Sequence, residues 1–199
     1  IKGINIDFEN IYLADKDKLV QMVAELTAKA HKDGIIVSMD VTVLGGSDNW
    51  SKVYDRKRLG EIVDYLVIMT YDQHWASSPI SGTVAGVSWM DENMNLLTSI
   101  VDHDKLVLGI PLYTRIWTET PSQTVANKMD TKSRSVFMYA GDRIADEKGL
   151  TRIWDEENGQ YFVSYIEDNQ LIKIWLEEET SIALKADLVK KYDLAGVAC

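Results

Sequence analysis

Cysteine is almost absent from this 199-residue chain. A single thiol, Cys199, excludes an internal disulfide framework and leaves the redox compartment open. Histidine is scarce too. His31, His74 and His103 stand far apart with no His/Cys cluster at metal-ligand spacing, so no metal site and no cofactor are expected. No apolar run approaches the roughly 20 residues that span a bilayer, and no signal peptide opens the chain. Positive charge is in deficit: 21 Lys and Arg against 31 Asp and Glu leave a net −10. Nucleic acid and anionic membrane surfaces would both repel that surplus, so neither is an expected partner, whereas a neutral substrate is unaffected. No Gly-rich phosphate loop follows a strand-like segment, which argues against a nucleotide-binding doubly wound sheet.

What remains is an ordinary globular composition, 46% hydrophobic and 26% charged, long enough for one good core or one domain with an insertion. The most informative stretch is residues 3–10, Gly-Ile-Asn-Ile-Asp-Phe-Glu-Asn. Its alternation predicts a strand with Asn5, Asp7 and Glu9 on one face and Ile4, Ile6 and Phe8 turned into a packed layer. Polar groups on a buried strand need partners or shifted ionisation. Carboxylates two residues apart lie roughly 7 Å from one another, close enough for each to disturb the other's ionisation. That suits acid–base chemistry.

Further along, the periodicity predicts a helix over 15–32 stopped by Gly34, then a buried strand over 35–42. A Gly-rich loop at 45–50, a short helix near 54–62 and a strand over 65–71 follow. A long loop at 72–89, a helix near 90–101 and a strand over 105–113 come next. Strands apolar on both faces alternating with helices indicate parallel βα units. The rhythm then breaks. Residues 117–177 read as a polar loop, one helix near 135–148 and short strands at 151–155, 160–165 and 171–176. Asn158-Gly159 and Asp168-Asn169 supply hairpin turns between those strands. A helix over 180–192 and a strand over 194–198 resume the first pattern. Asp7, Glu9, Asp40, Tyr71, Asp72, Tyr113 and Arg115 gather at strand C-terminal ends, where a barrel carries its active site. The expected fold class is α/β, a partial (β/α)8 TIM barrel with a small α+β insertion. Its expected domains are 1–116 (barrel), 117–177 (insertion) and 178–199 (last barrel helix and strand).

Three segments carry a resemblance. Gly3-Ile4-Asn5-Ile6-Asp7-Phe8-Glu9 resembles the strand-four signature of the family 18 glycoside hydrolases, the chitinase-like enzymes, written D-G-x-D-x-D-x-E. Met69-Thr70-Tyr71-Asp72 resembles that family's M-x-Y-D, and Gly109-Ile110-Pro111-Leu112-Tyr113-Thr114-Arg115 its G-x-P-x-Y-x-R. Tyr71-Asp72-Gln73-His74-Trp75 and Ile174-Trp175-Leu176-Glu177 look most like the bacterial branch acting on spore or cell-wall peptidoglycan, often joined to LysM modules. The resemblance implies barrel strands four to eight and hydrolysis of β-1,4 bonds beside N-acetylglucosamine. It also implies a substrate-assisted mechanism that departs from the two-carboxylate scheme. Catalysis would fall to Glu9 as acid, with Asp7 and Tyr71 orienting the substrate's acetamido group. Asn5, Met69, Asp72, Tyr113 and Arg115, with Trp75 and Trp117 as exposed stacking faces, would bind the N-acetylglucosamine-containing polysaccharide. An extracellular, cell-wall or spore-surface location follows from the same resemblance.

Two positions depart from the pattern: Lys2 stands where the family has Asp or Asn, and Asn5 replaces the middle Asp. Taken alone, Asp7 and Glu9 would equally cap neighbouring backbone or pair with cations, and a divalent-metal site would lack a His partner. Arg115 serves equally as a structural ion-pair partner. His74 reads as a loop residue, Trp89, Trp154 and Trp175 as core residues, and Glu177-Glu178-Glu179 as a solvated helix start. The alternatives to an enzyme are a carbohydrate-binding, lectin-like protein and a spore-coat structural component. Both ends read as cut from a longer protein. The segment alone is therefore expected to be inactive, with its unpaired barrel edge strands either pairing with another copy or completed by the missing sequence.

Overall fold

The computed structural model of the chain describes residues 1–125 and 128–199. In chain order the elements are β1 (Gly3–Ile6), α1 (Lys16–Lys32), β2 (Ile36–Thr42), α2 (Arg56–Ile62), β3 (Tyr65–Met69), α3 (Val87–Leu97) and β4 (Leu106–Gly109). They continue with β5 (Tyr113–Pro121), β6 (Met129–Phe137), α4 (Met138–Glu147), β7 (Ile153–Asp155), β8 (Gln160–Glu167), β9 (Gln170–Leu176), α5 (Glu179–Tyr192) and β10 (Gly196–Ala198). The chain divides into two units. One holds Ile1–Thr70, Asp91–Gly109 and Ala186–Ala198, the other Tyr71–Met90, Ile110–Lys185 and Cys199.

The first unit is built on a parallel sheet in the order β1-β2-β3-β4-β10. Alternate residues of the inner strands are sealed from water: Val37, Met39 and Val41 on β2, Leu66 and Ile68 on β3, Leu106 and Leu108 on β4. The helical stripe of α1 buries Leu19, Val20, Val23, Thr27 and Ala30. Helix α1 packs on α2 and β2, and α2 packs on β3. Gly34, at φ +67°, ends α1 by adopting the left-handed turn that side chains resist, and Ile35 N–H returns to Ala30 O at 3.0 Å.

Strand β1 differs from expectation. It stops at Ile6, so Asp7, Phe8 and Glu9 lie beyond its end, and Asn5, Asp7 and Glu9 are all exposed. Of the three apolar residues expected to face a packed layer, Ile6 alone is buried, while Phe8 is 48% exposed. The cause is position: among the described residues β1 pairs with β2 only, as an edge strand with one covered side.

The second unit carries an antiparallel sheet in the order β6-β5-β9-β8-β7. Its core is Ile116, Val163, Ile172, Ile174 and Leu176, closed by Ala145 from α4. The β8–β9 hairpin turns through Asp168 and Asn169 at φ 50° and 59°, two consecutive left-handed residues whose twist matches the strands. The polar loop expected after Trp117 is instead a regular hairpin, with β5 and β6 paired from Tyr113↔Phe137 to Pro121↔Met129. Tyr113 and Arg115, expected at the end of a parallel strand, open β5 of this sheet. Ala126 and Asn127, inside the expected insertion, lie outside the described residues.

Candidate active site

In the first unit the Asp7-Phe8-Glu9 segment begins where the β1 ladder ends. Asn5 lies opposite Ser38 in register. Its Nδ2 donates to Asp40 Oδ2 at 2.9 Å, and its Oδ1 accepts from Ser38 Oγ at 2.7 Å. Asn5 is thus a neutral bridge that presents an N–H donor to the carboxylate on β2. Burial raises the Asp40 pKa above the ordinary carboxylate range, the Asn5 bond opposes it, and the charge of Asp7 adds to it. Past Ile6, the Phe8 carbonyl accepts a hydrogen bond of 2.7 Å from Tyr54 Oη. Tyr54 is 3% exposed. Burial, then the charges of Glu9 and Asp7, push its pKa up to about 12, so the hydroxyl remains a donor across the neutral range. Asn10, at φ 56°, turns the chain immediately after Glu9.

In the second unit a cluster forms on Asp72, a non-glycine residue held at φ 57°. Its Oδ1 accepts from Tyr113 Oη at 2.7 Å and from Arg115 Nη2 at 3.2 Å. Burial, then the bond to Asp72, raise the Tyr113 pKa well above its ordinary value and keep that phenol protonated. Tyr71 stands edge-on to Tyr113, with ring centroids 6.2 Å apart. The segment carrying these residues is fastened to the antiparallel sheet. Gln73 N–H donates to Val84 O at 2.8 Å, Trp117 Nε1 donates to Gly82 O at 2.8 Å, and Thr83 donates to the Gln160 side chain. His74 is a loop residue whose Nδ1 meets Thr83 O.

Several expected side chains stand elsewhere. Trp117 is no stacking face: it is completely buried between β6 and β9, where Gly82 O satisfies its indole. Trp75 is 53% exposed. Met69 is buried and offers little surface to a ligand. Arg115 is nearly buried and its guanidinium is turned onto Asp72, the ion-pair alternative. Trp89, Trp154 and Trp175 are half-buried rather than core residues; Trp175 donates to Asp155 Oδ2 at 3.0 Å and Trp154 packs edge-on to Tyr161. Glu177 does not belong to a solvated helix start. It is fully buried against Lys185, and Glu178 instead caps α5 by accepting from the N–H groups of Thr180 and Ser181. Tyr54 was not singled out by the sequence, because a tyrosine just before a helix carries no motif and its acceptor lies far away in the chain.

A parallel sheet alternating with helices, with Asp7 and Glu9 past the end of β1, defines the class: an α/β protein. Residues 1–199 match the family described as Glycosyl hydrolases family 18, and the chain belongs to that family. Among curated relatives, it is 25% identical over 202 residues to the "Uncharacterized glycosylase YvbX" of Bacillus subtilis, covering 98% of this chain and 56% of that protein. It is 25% identical over 201 residues to the "Cortical fragment-lytic enzyme" of the same organism, covering 99% and 45%. The solved chitinase of Chromobacterium violaceum superposes with a TM-score of 0.86 at 25% identity, covering 99% of this chain and 60% of that one. The chain therefore spans about half the length of the curated relatives it matches.

Proposed function

We propose that the protein carrying this chain is a glycosidase cleaving β-1,4 bonds next to N-acetylglucosamine, with retention and with assistance from the substrate's own acetamido group. Its parallel sheet would supply strands four to eight of a (β/α)8 barrel. The observation that carries the proposal is the Asp7-Phe8-Glu9 segment: two exposed carboxylates past the end of a parallel strand, in a family 18 chain.

Glu9 gives its proton to the glycosidic oxygen as the bond to the anomeric carbon breaks, and the acetamido carbonyl oxygen closes on that carbon. The leaving sugar departs with the proton and an oxazolinium ion remains. Asp7 accepts a hydrogen bond from the acetamido N–H and offsets the positive charge, while the Tyr71 hydroxyl donates to the acetamido oxygen. Water then adds to the anomeric carbon from the face the leaving group vacated as the bond from that carbon to the acetamido oxygen breaks, restoring the acetamido group, and ionised Glu9 takes the water's proton. Asn5, through Asp40, orders the base of this segment. Trp75 stacks on a sugar ring, and Asp72, held by Tyr113 and Arg115, accepts from sugar hydroxyls.

Peptidoglycan is proposed ahead of chitin as the polymer, since a relative named as a cortical fragment-lytic enzyme aligns with nearly the whole chain. A cell-wall or spore-surface location follows from that substrate. The test is turnover of N-acetylglucosamine oligomers and purified peptidoglycan by the full-length protein and by Glu9→Gln. Equal rates would remove Glu9 as the acid, and saturable sugar binding without turnover in both would support the lectin-like alternative.

A further inference from the structure

We infer that Tyr54 is a positioning residue for the acid segment, and that Arg56 is the anchor holding Tyr54 in place. This rests on the reading of Glu9 as the acid. The need for such a device follows from the end of β1. The parallel ladder stops at Ile6↔Met39, so residues 7–9 lie beyond the paired part of the strand among the described residues. The segment also lacks a buried side chain of its own, since Asp7, Phe8 and Glu9 are all exposed. A general acid misplaced by about 1 Å loses on the order of a hundredfold in rate, so the peptide that carries it must be held.

Tyr54 Oη supplies an anchor at the right place. Its 2.7 Å bond ends on the carbonyl of Phe8, the peptide between the two carboxylates, and the ring that delivers it is buried. The turn that carries Tyr54 is itself clamped. Arg56, 6% exposed, donates through Nε and Nη2 to Thr42 O, through Nη2 to Val43 O and Ser51 Oγ, and through Nη1 to Ser51 O and Tyr54 O. Ser51 Oγ donates to Val43 O and Thr42 Oγ1 to Trp50 O, sewing the same turn to the end of β2. The Arg56 guanidinium also lies 5.8 Å from the Tyr54 ring centroid. A rigid path thus runs from the end of β2, through a buried cation, to the peptide that aims Asp7 and Glu9. Buried arginines of this kind satisfy carbonyls that no helix or sheet partner reaches.

The experiment compares Tyr54→Phe, Arg56→Lys and Glu9→Gln with the wild type in the full-length protein, measuring kcat, KM, the thermal midpoint and amide exchange across residues 7–10. Tyr54→Phe keeps the packed ring and deletes only the bond. The expected result is a kcat lowered about tenfold with KM within about twofold, together with faster exchange at Phe8, Glu9 and Asn10. Arg56→Lys, which loses the planar fork, is expected to lower kcat in the same direction. A Tyr54→Phe kcat within about twofold of wild type, with Glu9→Gln inactive, overturns this inference and leaves the acid assignment standing. An active Glu9→Gln overturns the assignment on which it rests. Unchanged exchange at residues 8–10 in Tyr54→Phe overturns the inference whatever the activity.

Discussion

Lys185 and Glu177 form an ion pair in which both side chains are completely shielded from water. Ser181 Oγ donates to the same carboxylate at 2.6 Å. Burial pushes Glu177 up and Lys185 down, and their mutual attraction opposes both shifts. Such a pair is costly to break from one side, because the partner is left as an uncompensated buried charge. Lys185→Met is expected to destabilise the protein by about 3–5 kcal/mol in urea unfolding. Adding Glu177→Leu is expected to recover most of that loss; a double variant as unstable as the single one would contradict this account.

Trp117 is buried and Trp75 exposed, so substitutions at the two are expected to separate packing from recognition. Trp117→Ala opens a cavity in the antiparallel sheet and is expected to cost about 3–5 kcal/mol. Trp75→Ala, at an exposed ring, is expected to leave the thermal midpoint within a degree or two, as surface substitutions do, and to weaken binding of N-acetylglucosamine oligomers several-fold in titration calorimetry. The reverse pattern would restore Trp117 as a sugar platform.

Asp72 joins Tyr113 and nearly buried Arg115, so its removal leaves a guanidinium without its carboxylate. Asp72→Ala is expected to destabilise by about 2 kcal/mol, with Tyr113→Phe costing about 1 kcal/mol. A double-mutant cycle tests the coupling: strictly additive losses would show that Tyr113 and Asp72 do not interact.

Asp40 gives the pH prediction. Its folded pKa lies above the unfolded one, chiefly through burial, so the folded state takes up the proton more readily. The advantage of the neutral carboxyl is complete below the unfolded value and is lost as pH rises through the folded value. Asp40→Asn is therefore expected to melt higher than wild type near neutral pH, with the gap closing in acid. A gap that widens in acid would reverse the sign.

Strands β1 and β10 are the two edges of the parallel sheet among the described residues. Residues 1–199 produced alone are expected to associate through those edges, with a concentration-dependent mass in light scattering. A monodisperse monomer at all concentrations would count against it.

Much of this organisation was legible in the residues. The stripe of α1, the apolar strands β2 to β4 and the Asp168-Asn169 hairpin follow from periodicity and turn chemistry. The β5–β6 hairpin did not. Its inward positions include Thr114, Arg115 and Glu119, which look like loop residues until their partners are seen: Trp175 O, Asp72 and Lys173. The same blindness hid Glu177, whose acidic neighbours disguise a buried ion. At the candidate site, the motif residues were visible as a pattern along the chain. Tyr54 and Arg56 were not, because what they hold is backbone, and backbone acceptors leave no mark in a sequence.

The residue after Glu9 and the residue after Tyr71 share a property that concerns inheritance more than chemistry. Asn10 and Asp72 both hold a backbone conformation that most side chains resist, at φ 56° and 57°. Asparagine, aspartate and glycine enter it at little cost, whereas β-branched residues scarcely enter it at all. The set of amino acids open to drift at these two positions is therefore narrow. A saturation library of the protein would reveal that narrowness even in a screen for folding alone.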